Sequence, residues 1–150
     1  MPEAAARPTR ALFSHFTAQP TRWGDLDALG HVNNTRFFTF DESARLDYWT
    51  SLMQGDPAFF RDYGLILASI RCDFLAQLHH PTALEVGLRV ARLGRSSFTT
   101  EAAMFGGERL YAVTQATLVW FDYREQKALP IPEAVRARVL ARERVAPEQG

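Results

Sequence analysis

The chain has 150 residues, 47% of them hydrophobic, and 17 Lys+Arg balance 17 Asp+Glu. A single domain of this size buries enough surface to fold without disulfide or metal staples, and the composition argues against disorder, which needs low hydrophobicity and high net charge. Zero net charge also argues against a nucleic-acid or other partner bound through bulk charge, and it removes the self-repulsion that opposes association.

Residues 1–12 read as a mobile N-terminal arm with no apolar run that could serve as a leader. His15 to Trp23 is strand-like, and Pro20 points to an edge or a bulge. Gly24 to Val32 is a loop. Asn33 or Asn34 can cap a helix that runs to about Met53, where Gly55-Asp56-Pro57 stops it. At 100° per residue Phe37, Phe40, Ala44, Tyr48 and Leu52 fall on one arc, and Phe38, Leu46, Trp49 and Met53 on a second. A helix this apolar around its circumference must be buried on most sides.

The period then changes from 3.6 to 2. Ile66, Ala68, Ile70, Cys72, Phe74, Ala76 and Leu78 alternate with Ser69, Arg71, Asp73 and Gln77. His79-His80-Pro81 turns the chain into a strand over Leu84 to Val90, and Gly94 to Ser96 turns it again. A strand follows from Phe98 to Phe105. Gly106-Gly107 reads as a hairpin turn, and Arg109 to Phe121 is a further strand. Pro130 and Pro132 precede a helix from Glu133 to about Arg142, and residues 143–150 read as a flexible tail. Short connections make the strands antiparallel neighbours. The implied architecture is α+β: one domain over residues 1–150, with a curved antiparallel sheet wrapped around a long central helix. One sheet cannot cover all of that helix, so a homodimer or homotetramer is expected.

Cys72 is the only cysteine, so an internal disulfide and a cysteine-based zinc site are ruled out, and a reducing, cytoplasmic location is expected. No apolar run is long enough for a membrane helix. His79 and His80 stand in a turn without a carboxylate at ligand spacing, so no metal site is expected.

The densest chemistry is the loop from Arg22 to Asn34, which holds Asp25, Asp27, His31, Asn33 and Asn34 between a strand and a helix start. Unpaired N–H groups at a helix N-terminus can stabilise a developing oxyanion. A nearby carboxylate can act as base or nucleophile. The same residues also suit turns and caps. Asp41 and Glu42 lie within the apolar arcs of the helix, with Arg45 at i+4 and i+3 as an ion-pair partner. The Arg92-Leu93-Gly94-Arg95-Ser96-Ser97 turn offers guanidiniums and N–H groups to phosphates.

Asp25-Leu26-Asp27-Ala28-Leu29-Gly30 followed by His31-Val32-Asn33-Asn34 resembles the hotdog-fold acyl-CoA thioesterases of the 4-hydroxybenzoyl-CoA thioesterase superfamily. The His-Val-Asn-Asn run is also similar to plant-type acyl-carrier-protein thioesterases. The resemblance covers most of the chain, through the helix, the strand series and Leu129-Pro130-Ile131-Pro132. It implies a hotdog fold and hydrolysis of acyl-CoA to free acid and coenzyme A. Asp27 would be the catalytic carboxylate and the N–H near Asn34 the oxyanion donor. His31 matches a histidine of the carrier-protein branch, but Leu29 stands where that branch has asparagine. Glu42 is a rival helix carboxylate. Arg92, Gly94, Arg95 and Ser96 would meet the coenzyme A phosphates. No cofactor is implied beyond the coenzyme A of the substrate. The alternatives are an acyl-carrier-protein thioesterase and a non-catalytic hotdog protein that binds acyl ligands.

Overall fold

The computed structural model describes residues 6–150. It contains β1 (His15–Ala18), α1 (Asn34–Leu52), β2 (Tyr63–Phe74), β3 (Leu84–Leu93), β4 (Ser97–Gly106), β5 (Arg109–Asp122), β6 (Lys127–Ala128), α2 (Glu133–Arg142) and β7 (Glu148–Gln149). The strands form one sheet in the order β1-β3-β4-β5-β2, with β6 beside β5 and β7 beside β3. The main pairings are antiparallel, and only the short β7 runs parallel to its neighbour. The α+β architecture read from the sequence is the one the chain adopts, but β2 does not neighbour β3 as its short connection predicts: the chain crosses over after β2, which pairs with β5 at the edge of the sheet.

Alternation explains how the sheet holds α1. Leu84, Val86, Leu88 and Val90 of β3, with Phe98, Ala102 and Met104 of β4, are buried on the concave face. Ala112, Ala116, Leu118 and Trp120 of β5 extend that face. Phe37, Phe40, Ala44, Tyr48, Trp49 and Leu52 of α1 pack against it. The first apolar arc is therefore wholly buried. The second divides: Trp49 and Met53 are buried, while Leu46 is 49% exposed.

The convex face carries a smaller core of Phe13, Ala103 and Phe105, with Leu12, Phe16 and Leu110 packed on it. Gly87 permits this. A Cβ there would come within 2.9 Å of the rings of Phe13 and Phe16. The expected mobile arm is thus docked where it can be seen. Residues 10–12 form a 3-10 turn, and Arg10 donates to the Gly107 carbonyl at 2.7 Å. Residues 1–5 of that arm lie outside the described residues. The expected flexible tail is also docked: Pro147 is buried, and β7 pairs with Arg92 and Leu93 of β3.

β2 departs from the simple alternation. Leu67 pairs with Leu118 and Ser69 with Thr117, so Ala68 is an extra residue in a bulge. A one-residue insertion swaps the faces. Leu65 and Leu67 therefore share the concave face with Ile70, Cys72 and Phe74, while Ile66 turns outward opposite Val119. The strand ends at Phe74, and Leu78 is buried beyond it. β2 is an edge strand, and Ile66, Leu67 and Phe74 are 38%, 44% and 48% exposed.

Candidate active site

The loop before α1 is closed on itself. The Asp27 N–H donates to the His31 carbonyl and the Gly30 N–H to the Asp27 carbonyl, each at 3.0 Å. Gly30 sits at φ +80°, where a side chain would be strained. The loop is tied outward as well. The Val32 N–H donates to the Leu78 carbonyl at 2.8 Å and the Asn33 N–H to the Asp25 carbonyl at 2.9 Å. The stretch between Asp25 and α1 is thereby fixed to the end of the sheet where β3 begins.

Asp25 anchors the entry to this loop. Its carboxylate is fully buried and accepts from the Arg22 N–H at 2.8 Å and the Arg22 guanidinium at 3.1 Å. Arg36 approaches it to 3.7 Å. Burial alone would push this carboxyl up, but the Arg22 hydrogen bonds and the two guanidiniums outweigh it and hold it below the usual range.

Asp27 is held from two sides. One oxygen accepts from the Leu29 N–H at 2.9 Å, the other from the Asn33 side-chain amide at 3.3 Å. Asn33 also caps α1: its Oδ1 accepts from the Thr35 N–H at 2.9 Å and the Thr35 hydroxyl at 2.6 Å. One asparagine thus couples the carboxylate to the helix start. The sequence marks Asn33 as a possible cap, but its second role needs the fold in the intervening loop. Asn34 is the first residue of α1 and is exposed, so its N–H belongs to the unpaired first-turn donors.

Asp27, His31, Asn34, Phe37 and Phe74 line one open cavity of about 510 Å³. The structure therefore brings together three of the expected site residues. The His31 ring meets His79 edge-on at 5.0 Å, and its Nδ1 is buried without a partner. His80 instead pairs with the Thr21 hydroxyl at 2.9 Å. Among the described residues no cluster of His, Cys, Asp or Glu is arranged to hold a metal ion.

The other expected site residues lie elsewhere. Glu42 is exposed and lines a separate apolar cavity of about 300 Å³ with Leu46, Trp49 and Leu67. Arg45 turns to Asp41, which is buried and accepts from the Arg45 Nε and the Thr114 hydroxyl, both at 2.5 Å. The turn with Arg92, Gly94, Arg95 and Ser96 is at the other end of the strands from Asp27. β3 has 10 residues, roughly 30 Å at strand spacing. The main chain of the turn is already engaged: the Gly94 carbonyl accepts from Arg136 of α2, the Arg95 carbonyl from the Ile131 N–H ahead of α2, and the Ser96 carbonyl from the Trp120 N–H of β5. Within one chain this turn cannot share a ligand with Asp27 at close range.

A long helix in the curl of one antiparallel sheet, with an acidic loop at its start, is the hotdog class of protein. The family model of the thioesterase-like superfamily matches residues 21–139. The chain belongs to that superfamily. It is similar to the PA5185 protein of Pseudomonas aeruginosa strain PAO1, with 32% identity, TM-score 0.82, and 94% of this chain and 99% of that one covered. A thioesterase of Thermus thermophilus, solved with coenzyme A and zinc, is 30% identical with TM-score 0.77, over 87% of this chain and 94% of that one. The protein YsmA of Bacillus subtilis (strain 168) is 29% identical over 87 residues, which span 58% of each chain. No helix among the described residues is long and apolar enough to cross a membrane.

Proposed function

We propose that the chain hydrolyses acyl-coenzyme A thioesters to the free acid and coenzyme A. The observation that carries this reading is the coupling through Asn33. It holds the Asp27 carboxylate beside the first N–H groups of α1, in one cavity. The thioester carbonyl oxygen would accept from the Asn34 N–H, where the helix dipole favours the charge that develops. Two routes use the same carboxylate. As a base, Asp27 takes a proton from water as the water oxygen bonds to the carbonyl carbon. As a nucleophile, it forms an anhydride with loss of the thiolate, and water then cleaves that anhydride. Both end in a carboxylic acid and a thiol. The name of the Thermus relative's bound ligand, coenzyme A, supports the choice of leaving group.

The unpartnered Nδ1 of His31 supports the cavity as a ligand site, because buried polar atoms in native proteins ordinarily find a partner. A second copy of the chain covers the free edge of β2 in this reading. A strand of 12 residues with exposed Ile66, Leu67 and Phe74 is otherwise an aggregation hazard.

The test is thiol release over a panel of acyl-CoA substrates with Asp27→Asn beside the wild type. Loss of a catalytic carboxylate lowers kcat by about a hundredfold or more. Hydrolysis by Asp27→Asn at the wild-type rate would rule out this assignment. A single turnover in ¹⁸O-water tests the nucleophile route: label in Asp27 shows an anhydride opened by water at the aspartyl carbon, whereas label in the product acid alone is the outcome of the base route and of opening at the acyl carbon.

A further inference from the structure

A coenzyme A thioester carries its negative charge far from the bond that breaks. Pyrophosphate and ribose phosphate call for cations, yet among the described residues no arginine or lysine lines the Asp27 cavity. The arginines of the β3–β4 turn lie at the far end of the strands.

Leu75 and Ala76, just past β2, form a shared wall. They line the Asp27 cavity on one side and a second cavity of about 450 Å³ on the other. Arg7 and Arg10 of the N-terminal segment and Arg109 of the β4–β5 hairpin line that second cavity, with Glu108 as its carboxylate. Arg10 is fixed in place. It donates to Glu85 at 3.1 Å and lies over the Phe105 and Phe16 rings at 4.9 Å and 5.4 Å. Arg7 and Arg109 are exposed and have no carboxylate within ion-pair distance among the described residues. Arg109 lies over the Tyr111 ring at 5.3 Å, a contact that orients its guanidinium. The Tyr111 carbonyl accepts the N–H groups of both Leu75 and Ala76. The platform under Arg109 is therefore tied to the wall that the two cavities share.

We infer that this second cavity binds the phosphates of the coenzyme A portion, through Arg7 and Arg109 with Arg10 as a fixed charge behind them. The inference rests on the acyl-coenzyme A reading and gives it a location. Pantetheine is about as long as four extended residues, on the order of 15 Å. Both cavities are lined by Leu75 and Ala76, so a linker of that length would run past these two residues with the thioester at Asp27.

The experiment is calorimetric titration of coenzyme A and of pantetheine into the wild type and Arg7→Ala/Arg109→Ala, alongside steady-state hydrolysis of an acyl-CoA and the matching acyl-pantetheine. Loss of two exposed ion pairs weakens coenzyme A binding about tenfold and raises the acyl-CoA KM with kcat retained. Pantetheine affinity and acyl-pantetheine hydrolysis stay unchanged. Arg7→Lys/Arg109→Lys restores part of the loss, which a purely structural defect would not show. Unchanged coenzyme A affinity overturns the inference, as does an equal loss for pantetheine. Weakened binding in Arg92→Ala/Arg95→Ala but not in the Arg7/Arg109 pair also overturns it and places the phosphates on the β3–β4 turn. Arginine-dependent binding without turnover upholds the subsite and refutes hydrolysis. Turnover without arginine dependence does the reverse.

Discussion

Asp25 never needs to touch substrate to matter. Replacing it with alanine removes the acceptor for the Arg22 N–H and two guanidiniums from a fully buried position. The charge-assisted bond to the N–H is worth about 1.5–3 kcal/mol. The Arg22 and Arg36 side chains are 68% and 41% exposed and return to water, so their pairs add at most about 1 kcal/mol. Relief of the buried charge offsets part of this. The net cost is about 2 kcal/mol, or a fall in Tm of roughly 4–8 °C for a chain of this size. Asn keeps one acceptor oxygen and costs about half as much. Scanning calorimetry and urea unfolding read the stability, and thiol release reads the activity, which falls because the Asp27 loop is hung from this residue. The folded carboxyl lies below its ordinary value of 3.8. Its stabilisation is therefore complete well above pH 4 and is lost as pH falls through the folded pKa. The stability gap between wild type and Asp25→Asn should close in the same acid range. An Asp25→Ala protein with wild-type Tm and activity refutes the reasoning, as does a gap that widens on acidification.

Asn34→Pro removes one N–H at a position where proline suits the helix. Asn33 is already extended at φ −61°, ψ 140°, as a residue before proline must be. Its kcat should fall by about 10²–10³ with little change in Tm, as expected for loss of an oxyanion donor; an unchanged kcat removes this N–H from the mechanism. Asp41→Ala strands Arg45, whose side chain is only 12% exposed. It should cost about 3–5 kcal/mol in urea unfolding, and a loss under 1 kcal/mol contradicts the buried pair. The Cys72 thiol is pushed up to about 11 by burial, with the Asp73 and Asp41 carboxylates adding to it. At neutral pH the native protein should react with iodoacetamide on the order of a hundredfold more slowly than the unfolded chain; equal rates would show the thiol free. Leu67→Lys should turn a dimer into a monomer by light scattering with the circular dichroism unchanged, and a monomeric wild type defeats the β2-edge proposal.

What the sequence could show follows the range of the interactions involved. The helix, the run of strands and Asp27 beside a helix start are written in local patterns: two apolar arcs, period-2 alternation, an acidic loop ending in asparagines. The strand order is not, because the short connection after β2 predicts pairing with β3 and the sheet closes β2 onto β5 instead. Glu42 and Arg45 show where locality fails. Both carboxylates of Asp41-Glu42 are within reach of Arg45 along the helix, and helix geometry alone cannot choose between them. The sheet chooses, because Thr114 of β5 donates to Asp41 and makes its burial tolerable. The bulge at Ala68 is a similar case. Ile66 and Ile70 look equivalent by alternation, but pairing with β5 inserts one residue and sends them to opposite faces. The arginines show the largest gap. Arg92 and Arg95 carry the right groups in a turn, and nothing local says that ten residues of β3 separate them from Asp27. Arg7 and Arg109 are over a hundred positions apart in sequence, yet they line one cavity because the hairpin and the N-terminal segment meet at the same end of the sheet. Charge chemistry is legible residue by residue, but which charges line one cavity is decided by how distant segments meet in the fold.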